Sequence, residues 1–536
     1  MSWNTLLRTG LLTTAFVVGL AAWFAPGRET RAAGEEPPGP DRYEIVEEEY
    51  TRYFWWLVRW SNDQVICEIV IEHSGLPTPG EIYAVCGESV YKQWLASPPC
   101  SISDKMTCSG FYLYLVRQEQ ARRQIGLPLP PPVVWLKVAG CTPYFSSHRC
   151  LNLPTLILFG EEPLTEHSIL ALHGSIDEKP FTCAPICRIE LGPTDEDGIL
   201  LRFWAESSYG DTSIPYQARV RVARKQESDD RYWYIDVLSD RWRGAPLAPC
   251  SLIWEQFPPI GGLTGWLATP DRPEELASSI PYGYLAGQLI RSGVVDASDC
   301  PEGGIQANGY ANACGLEIAR PAVHEWQNRF DELIFYAAQD VGVPAQLLKN
   351  LFSQESQFWP GISSGRPEAG LGQLTENGAD TVLLWNRPFF EQFCVSVFVR
   401  EVCQRGYAHL TDEQREGLRS ALVERVNAFC ADCPLGIDLQ KAEASILIFA
   451  ETLAANCAQM KMVLALNYPN PNPQPTYEDL WRFTLVNYHV GPGCLGLAVD
   501  ATRQAGQPLS WSYVSTNFTP VCQRAVDYVH RMTSTP

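Results

Sequence analysis

The spacing of apolar residues changes once along this chain, and that change requires at least two kinds of domain. Between Pro154 and about Arg224 the period is two: Ala218, Val220 and Val222 alternate with Arg219 and Arg221, and residues 194–198 form a turn cluster. Short strands with polar turns predict a β-sandwich-like (Ig-like) domain over 154–225. From Pro321 onward the period becomes helical. Thr411 and Gln414 read as a capping box, after which Leu418, Leu422, Val426 and Phe429 give a helix its apolar face. A second helix is expected from Leu439 to about Leu466. Pro469, Pro471, Pro473 and Pro475 separate it from a third, which starts near Thr476. Residues 321–536 therefore read as a mostly α domain.

The regions ahead of these are shorter. Arg8 precedes an apolar run from Gly10 to Ala25, and Pro26 and Gly27 follow it. Residues 1–33 read as a secretory signal peptide or as an uncleaved N-terminal membrane anchor, and the sequence leaves the two open. No later segment reads as a membrane span. An acidic, proline-bearing linker covers 34–42. Tyr53, Phe54, Trp55, Trp56 and Trp60, the alternating run Val65–Ile71 and a helix start at Thr78-Pro79 then predict a small α+β domain over 43–153, whose tryptophans belong to its core. Residues 226–320 show no dominant period. Trp233, Trp242, Trp254 and Trp266 are scattered there among glycines and prolines, and the segment reads as an irregular connection. No role is assigned to residues 43–320.

A chain of 536 residues with 18 cysteines and a formal net charge of -20 narrows the setting. Phosphate backbones need basic patches, so nucleic acid is excluded as a partner. Closely spaced cysteines such as Cys141 and Cys150, Cys183 and Cys187, or Cys394 and Cys403 are most simply disulfides of an extracytoplasmic protein. A zinc site would rest on the single pair Cys430 and Cys433, with no second pair to match it, so no metal is expected.

Chemistry enters with Glu355. Leu347, Leu348, Leu351 and Phe352 repeat on one face of a helix opened by Pro344, and Glu355 falls on the same stripe. A carboxylate on an apolar stripe must be paired, protonated or useful. Near the helix C-terminus the macrodipole helps it keep its proton, which is the setting of a general acid. Three short segments accompany it: Glu355-Ser356-Gln357-Phe358, then Ala369-Gly370-Leu371-Gly372-Gln373-Leu374-Thr375, then Asn487-Tyr488-His489-Val490-Gly491-Pro492-Gly493.

In that order these segments resemble the soluble lytic transglycosylase family, which carries a Glu-Ser pair, then Gly-Leu-Met-Gln, then Ala-Tyr-Asn-x-Gly on a lysozyme-like fold. The step of 18 residues from Glu355 to Gln373 matches the family spacing, and Tyr528-Val529 with Arg531 is similar to its last helix. The resemblance covers Val323 to the end. It implies cleavage of the β-1,4 bond between N-acetylmuramic acid and N-acetylglucosamine in peptidoglycan glycan strands, with a 1,6-anhydro product and no cofactor. It makes Glu355 the sole acid and base, with Ser356 steadying it or a sugar substituent, Gln373 lining the cleft and Tyr488 pointing its hydroxyl at the site.

Three positions depart from the family pattern. Gly372 replaces Met, which removes bulk and predicts a reshaped sugar subsite. His489 replaces Asn and keeps a hydrogen-bonding side chain behind the site. Glu368 stands where small residues are usual. Facing Glu355 across the cleft it could activate water, making the enzyme a hydrolytic lysozyme-type muramidase; otherwise it is solvated. A wall-binding protein with an inert lysozyme-like domain is the reading from another class. The stretch from Cys394 to Leu439 reads as an insertion walling one end of the groove. Protein partners are not indicated.

Overall fold

The computed structural model describes residues 42–97, 100, 107–144, 147–225, 231–243, 249–278, 281–360 and 368–534. The expected leader and all of the linker but Arg42 lie outside the described residues. An N-terminal β-rich region is followed by a C-terminal helical region.

The aromatic segment forms strand β1 (Tyr43–Arg59), which pairs antiparallel with β2 (Val65–Ile71) and β3 (Phe111–Pro128) in the order β2-β1-β3. Helix α1 (Pro79–Ala96) starts at a capping box: Thr78 accepts from the Glu81 N–H while the Glu81 carboxylate accepts from the Thr78 N–H. Ile82 of the helix packs with Leu57, Ile69 and Ile71, and Cys67–Cys86 ties helix to sheet.

Eight further strands make one curled sheet: β4 (Val133–Tyr144), β5 (Ser147–Glu161), β6 (Ile169–Ile176), β7 (Lys179–Cys183), β8 (Ile186–Glu190), β9 (Ile199–Ser207), β10 (Tyr216–Ala223) and β11 (Trp233–Leu238). Their order is β4-β5-β11-β10-β9-β6-β7, with β8 also paired to β5. The expected boundary at 153/154 therefore cuts β5, and the one at 225/226 leaves out β11. The break that matters is the proline stretch after β3, since Val133–Tyr144 pairs with β5 and belongs to the larger sheet. Arg221 alternates with Val220 and Val222 in β10 and yet is not exposed. Rather than facing water, it is buried against Asp236 at 2.6 Å, under Phe257 and Pro258.

Fourteen helices include α1 and, after the sheet, α2 (Pro249–Trp254), α3 (Gly283–Arg291), α4 (Ala313–Asn328), α5 (Asp331–Val341), α6 (Ala345–Ser356), α7 (Glu376–Trp385), α8 (Arg387–Cys394), α9 (Arg400–Cys403) and α10 (Asp412–Val426), these being the helices of the described residues. The set ends with α11 (Leu439–Asn467), α12 (Tyr477–Gln504), α13 (Trp511–Val514) and α14 (Arg524–Thr533). One continuous core runs through them from Cys250 to Met532. The irregular connection expected over 226–320 is thus largely part of this body. Trp254, Trp266 and Leu285 are buried in its core, and Cys250 is bonded to Cys457 of α11. The boundary expected at 321 falls inside α4. These elements escaped notice because they are short, and short helices are held by packing rather than by their own periodicity.

Two further expectations change. Helix α11 is long and apolar enough to cross a membrane by length and composition, although no such segment was expected after the leader. Here Phe449, Leu453, Cys457 and Met460 on it are fully buried in the protein core. The capping box at Thr411 starts α10 as read, but the helix ends at Val426, and Phe429 is 44% exposed beyond it. All 18 cysteines are paired, including Cys430 with Cys433, so that pair offers no thiolates to zinc. Pairing on this scale is what an oxidising compartment produces.

Candidate active site

Helix α6 carries Glu355 and is buried on every side, not on one stripe. Leu347, Leu348, Leu351 and Phe352 have no exposed surface, and neither do Lys349, Asn350 and Ser353. Polar groups survive there because each is bonded. Lys349 Nζ lies 2.7 Å from Asp331 and donates to the Leu276 carbonyl at 2.9 Å; Gln346 exchanges hydrogen bonds with Ala277; Asn350 donates to the Met532 carbonyl at 3.0 Å. Pro344 is the N-cap, and the helix leaves through Gln357 and Phe358, at φ 49° and 60°. The Gln357 side chain then accepts from the Tyr284 and Leu285 N–H groups at 3.0 and 3.1 Å, tying the end of α6 to the start of α3.

The second segment is a tight loop between α6 and α7. Ala369 and Leu374 exchange backbone hydrogen bonds at 3.0 and 2.8 Å and close it. Gly370 has φ +74°, and a Cβ there would stand 2.6 Å from the Val426 carbonyl oxygen, so only glycine fits. At Gly372, expected to reshape a sugar subsite, the neighbour is Phe449. A Cβ at that position would meet the Phe449 ring at 2.4 Å, and that fully buried ring occupies the space a larger residue would need.

The third segment lies on α12 and spans a break at Gly491 (φ 82°, ψ 172°). Asn487 anchors it by donating to Asn456 and Gln459 of α11, each at 2.8 Å. Tyr488 donates to the Gly372 carbonyl at 2.6 Å and so braces the loop rather than reaching the carboxylate. The residue that does reach it is Tyr528 of α14, whose hydroxyl donates to Glu355 Oε1 at 2.6 Å. His489 stacks on the Tyr528 ring, with centroids 4.0 Å apart and planes at 2°.

A groove of about 560 Å³ is lined by Glu355, Ser356 and Gln373 together with Tyr284, Tyr310 and Phe429. Of the expected site residues, the first three line it; Tyr488 and His489 stand behind it. Ser356 is buried and donates to the Phe352 carbonyl at 3.1 Å, a bond within its own helix. Gln373 donates to the Gly370 carbonyl at 2.7 Å through its amide nitrogen. Glu368 is near enough for its charge to act on Glu355.

Burial pushes the Glu355 carboxyl up to about 7; the Tyr528 hydrogen bond and the Arg531 charge pull it down, while Glu368 pushes it further up. Burial, helped by Arg524 and Arg531, pushes His489 down to about 4, so it is neutral at neutral pH. Burial and the Glu355 charge hold Tyr488 and Tyr528 far above the usual phenol range, and both stay protonated donors. The sequence held no local signal for the Tyr528 contact, which joins residues 173 positions apart. Its place beside the Val529 and Arg531 of the last helix was the only pointer.

No family model matches this chain, and no curated protein does. What the groove can do follows from its geometry. A carboxyl that is part protonated near neutrality, with one oxygen held by a phenol and the other without a hydrogen bond among the described residues, can give a proton to a bound ether oxygen and take one back.

Proposed function

We propose that this chain is a peptidoglycan lytic transglycosylase with a lysozyme-like catalytic domain, acting outside the cytoplasm on glycan strands. The observation that carries the reading is Glu355: a carboxyl with a pKa near 7, in a groove, oriented by a 2.6 Å hydrogen bond from Tyr528. Protonated Glu355 donates to the glycosidic oxygen as the bond from C1 of the muramoyl sugar breaks. That sugar's acetamido group stabilises the developing cation. The glutamate, now ionised, takes the proton of the same sugar's 6-hydroxyl, whose oxygen closes on C1 as a 1,6-anhydro ring. One carboxylate suffices because the nucleophile is intramolecular. Gln373 bonds the glycan from the groove wall, and Tyr488 keeps the Gly370–Gln373 loop in shape. The curled sheet is read as a sandwich-like spacer between this domain and the N-terminal segment, which is cleaved or kept as a tether.

Glu355→Gln tests this directly. Loss of general acid and base function predicts a fall in cleavage of at least about 10³-fold, with folding and glycan binding retained. Full activity in that variant removes the assignment, and retention on insoluble peptidoglycan without any clearing by the parent protein favours an inert wall binder.

A hydrolytic muramidase is the second reading, because the Glu368 charge reaches Glu355. A water activated there would give a free reducing end. Product masses separate the two, since an anhydro end is lighter by one water.

A further inference from the structure

One wall of the groove that holds Glu355 comes from a part of the chain to which the sequence assigned nothing. Helix α3 supplies Tyr284 and Arg291, and a loop closed by the Cys300–Cys314 disulfide supplies Asn308 and Tyr310. The loop is pressed onto the helix where side chains are missing. A Cβ on Gly287 would lie 2.2 Å from the Gly309 carbonyl oxygen, and one on Gly309 would lie 2.0 Å from Arg291 Nη2. Ala311 N–H donates to the Gly283 carbonyl at 2.8 Å, and Ile305 bridges Ala311 to close the loop. Since Gln357 caps the start of α3, this wall is fixed to the end of the helix that carries Glu355.

What the wall presents is specific. Tyr310 is 42% exposed and tilted against Tyr284 with ring centroids 5.8 Å apart. Arg291 is exposed and donates through Nη2 to the Gly309 carbonyl at 2.7 Å, and its guanidinium makes no other hydrogen bond among the described residues. It has no carboxylate partner among the described residues, and it is the one cation among the described residues that line the groove. A cation near a helix C-terminus also suits the macrodipole, which is the purely structural account of it. That account does not explain the two glycines, Gly287 and Gly309, that let the loop close onto it at the edge of a groove.

We propose that this wall is a subsite for a carboxylate on the muramoyl side chain, with the sugar lying on Tyr310 and Tyr284 and the guanidinium of Arg291 taking the anion. Aromatic faces take sugars, and a planar fork matches a carboxylate. The inference rests on the peptidoglycan reading and deepens it: an uncharged glycan such as a chitin oligomer would leave Arg291 unused. The carboxylate has two sources, the lactyl group once its peptide is removed and the acidic residues of the peptide stem.

Binding to three soluble glycan preparations tests it in the Glu355→Gln protein: stem-bearing strands, amidase-stripped strands with free lactyl carboxylates, and stripped strands whose lactyl carboxylates are converted to amides. Adding Arg291→Gln should weaken binding to carboxylate-bearing strands roughly 10- to 100-fold and leave the amide-capped strands unchanged. A loss confined to stem-bearing strands assigns the anion to the stem, and one confined to stripped strands assigns it to the lactyl group. Arg291→Lys should restore part of the loss. Equal weakening on all three preparations, or none, overturns the proposal. With Glu355 intact, Arg291→Gln should raise KM and spare kcat. Should the parent cut nothing while the carboxylate preference persists in binding, the cleavage reading falls and this subsite stands. Should it cut with no such preference, the subsite alone falls.

Discussion

The β-rich region and the helical body both bury carboxyl groups, and the partner each one meets decides what it does. In the β-rich region a buried carboxylate meets a full cation. Asp236 lies 2.6 Å from Arg221, which also donates to the Pro258 carbonyl and sits over the Phe257 ring. Arg42, ahead of β1, is likewise paired with Glu162 and Asp211 of the curled sheet. These pairs close seams. In the helical body Glu355 meets only a neutral phenol, with Arg531 near enough to act but not to bond it. Desolvation pushes both carboxyls up; at Asp236 a bonded guanidinium opposes it, and at Glu355 a hydroxyl and the Arg531 charge do. A buried carboxyl therefore fixes structure where it meets a bonded cation, at Asp236 and at Asp331 beside Lys349, and is free to trade a proton at Glu355.

Breaking a pair of the first kind gives the larger expected effect on stability. Asp236→Ala leaves Arg221 buried without its carboxylate and should destabilise the fold by about 3–5 kcal/mol. Thermal melts followed by circular dichroism measure this, and an apolar replacement of both residues should recover most of it. Cleavage per folded molecule should stay at the parent level. If it falls instead while the melt is unchanged, the division between structural and chemical carboxylates is wrong.

A smaller effect is expected where the helical core meets the site. Gly372→Met forces a side chain into the Phe449 ring and should cost about 1–3 kcal/mol, with poorer cleavage as the loop shifts. Phe449→Ala made together with it should restore part of both, since the thioether can enter the space the ring leaves. Denaturant titration of the two single variants and the double variant reads the coupling. Additive losses would mean that Phe449 does not stand in for the missing side chain.

How much of this was legible follows the same contrast. Helix starts announced themselves where a cap is local: Thr78 with Glu81, Thr411 with Gln414, and Thr476 with Asp479 all form. Glu355 was visible as a polar residue at an apolar position. The strand pattern around Val220 was visible too, but the burial of Arg221 was not, because its partners Asp236 and Pro258 are brought in from later in the chain. Residues 249–320 gave no period because α2 and α3 are short and packed through glycines such as Gly287. Tyr528 lay in plain sight on an amphipathic helix, and only the packing of α14 against α6 gives it a role.

The smallest effects expected are shifts along the pH axis, and they probe the Glu355 environment most directly. Its folded pKa, about 7, lies above the ordinary value of 4.5, so the stability tied to its proton is complete below about 4.5 and is lost as pH rises through about 7. Glu355→Gln carries no such charge, so between pH 5 and 8 its melting temperature should fall less than the parent's. The proposed first step uses the protonated form, so cleavage should decline along a limb centred near pH 7. Tyr528→Phe removes a donor that favours the carboxylate and should move that limb up by about one pH unit. Glu368→Gln removes a negative charge and should move it down by less. Opposite displacements measured in kcat/KM profiles would mean that one carboxyl, held between these two neighbours, governs the rate. Displacements in the same direction would mean that the limb belongs to another group.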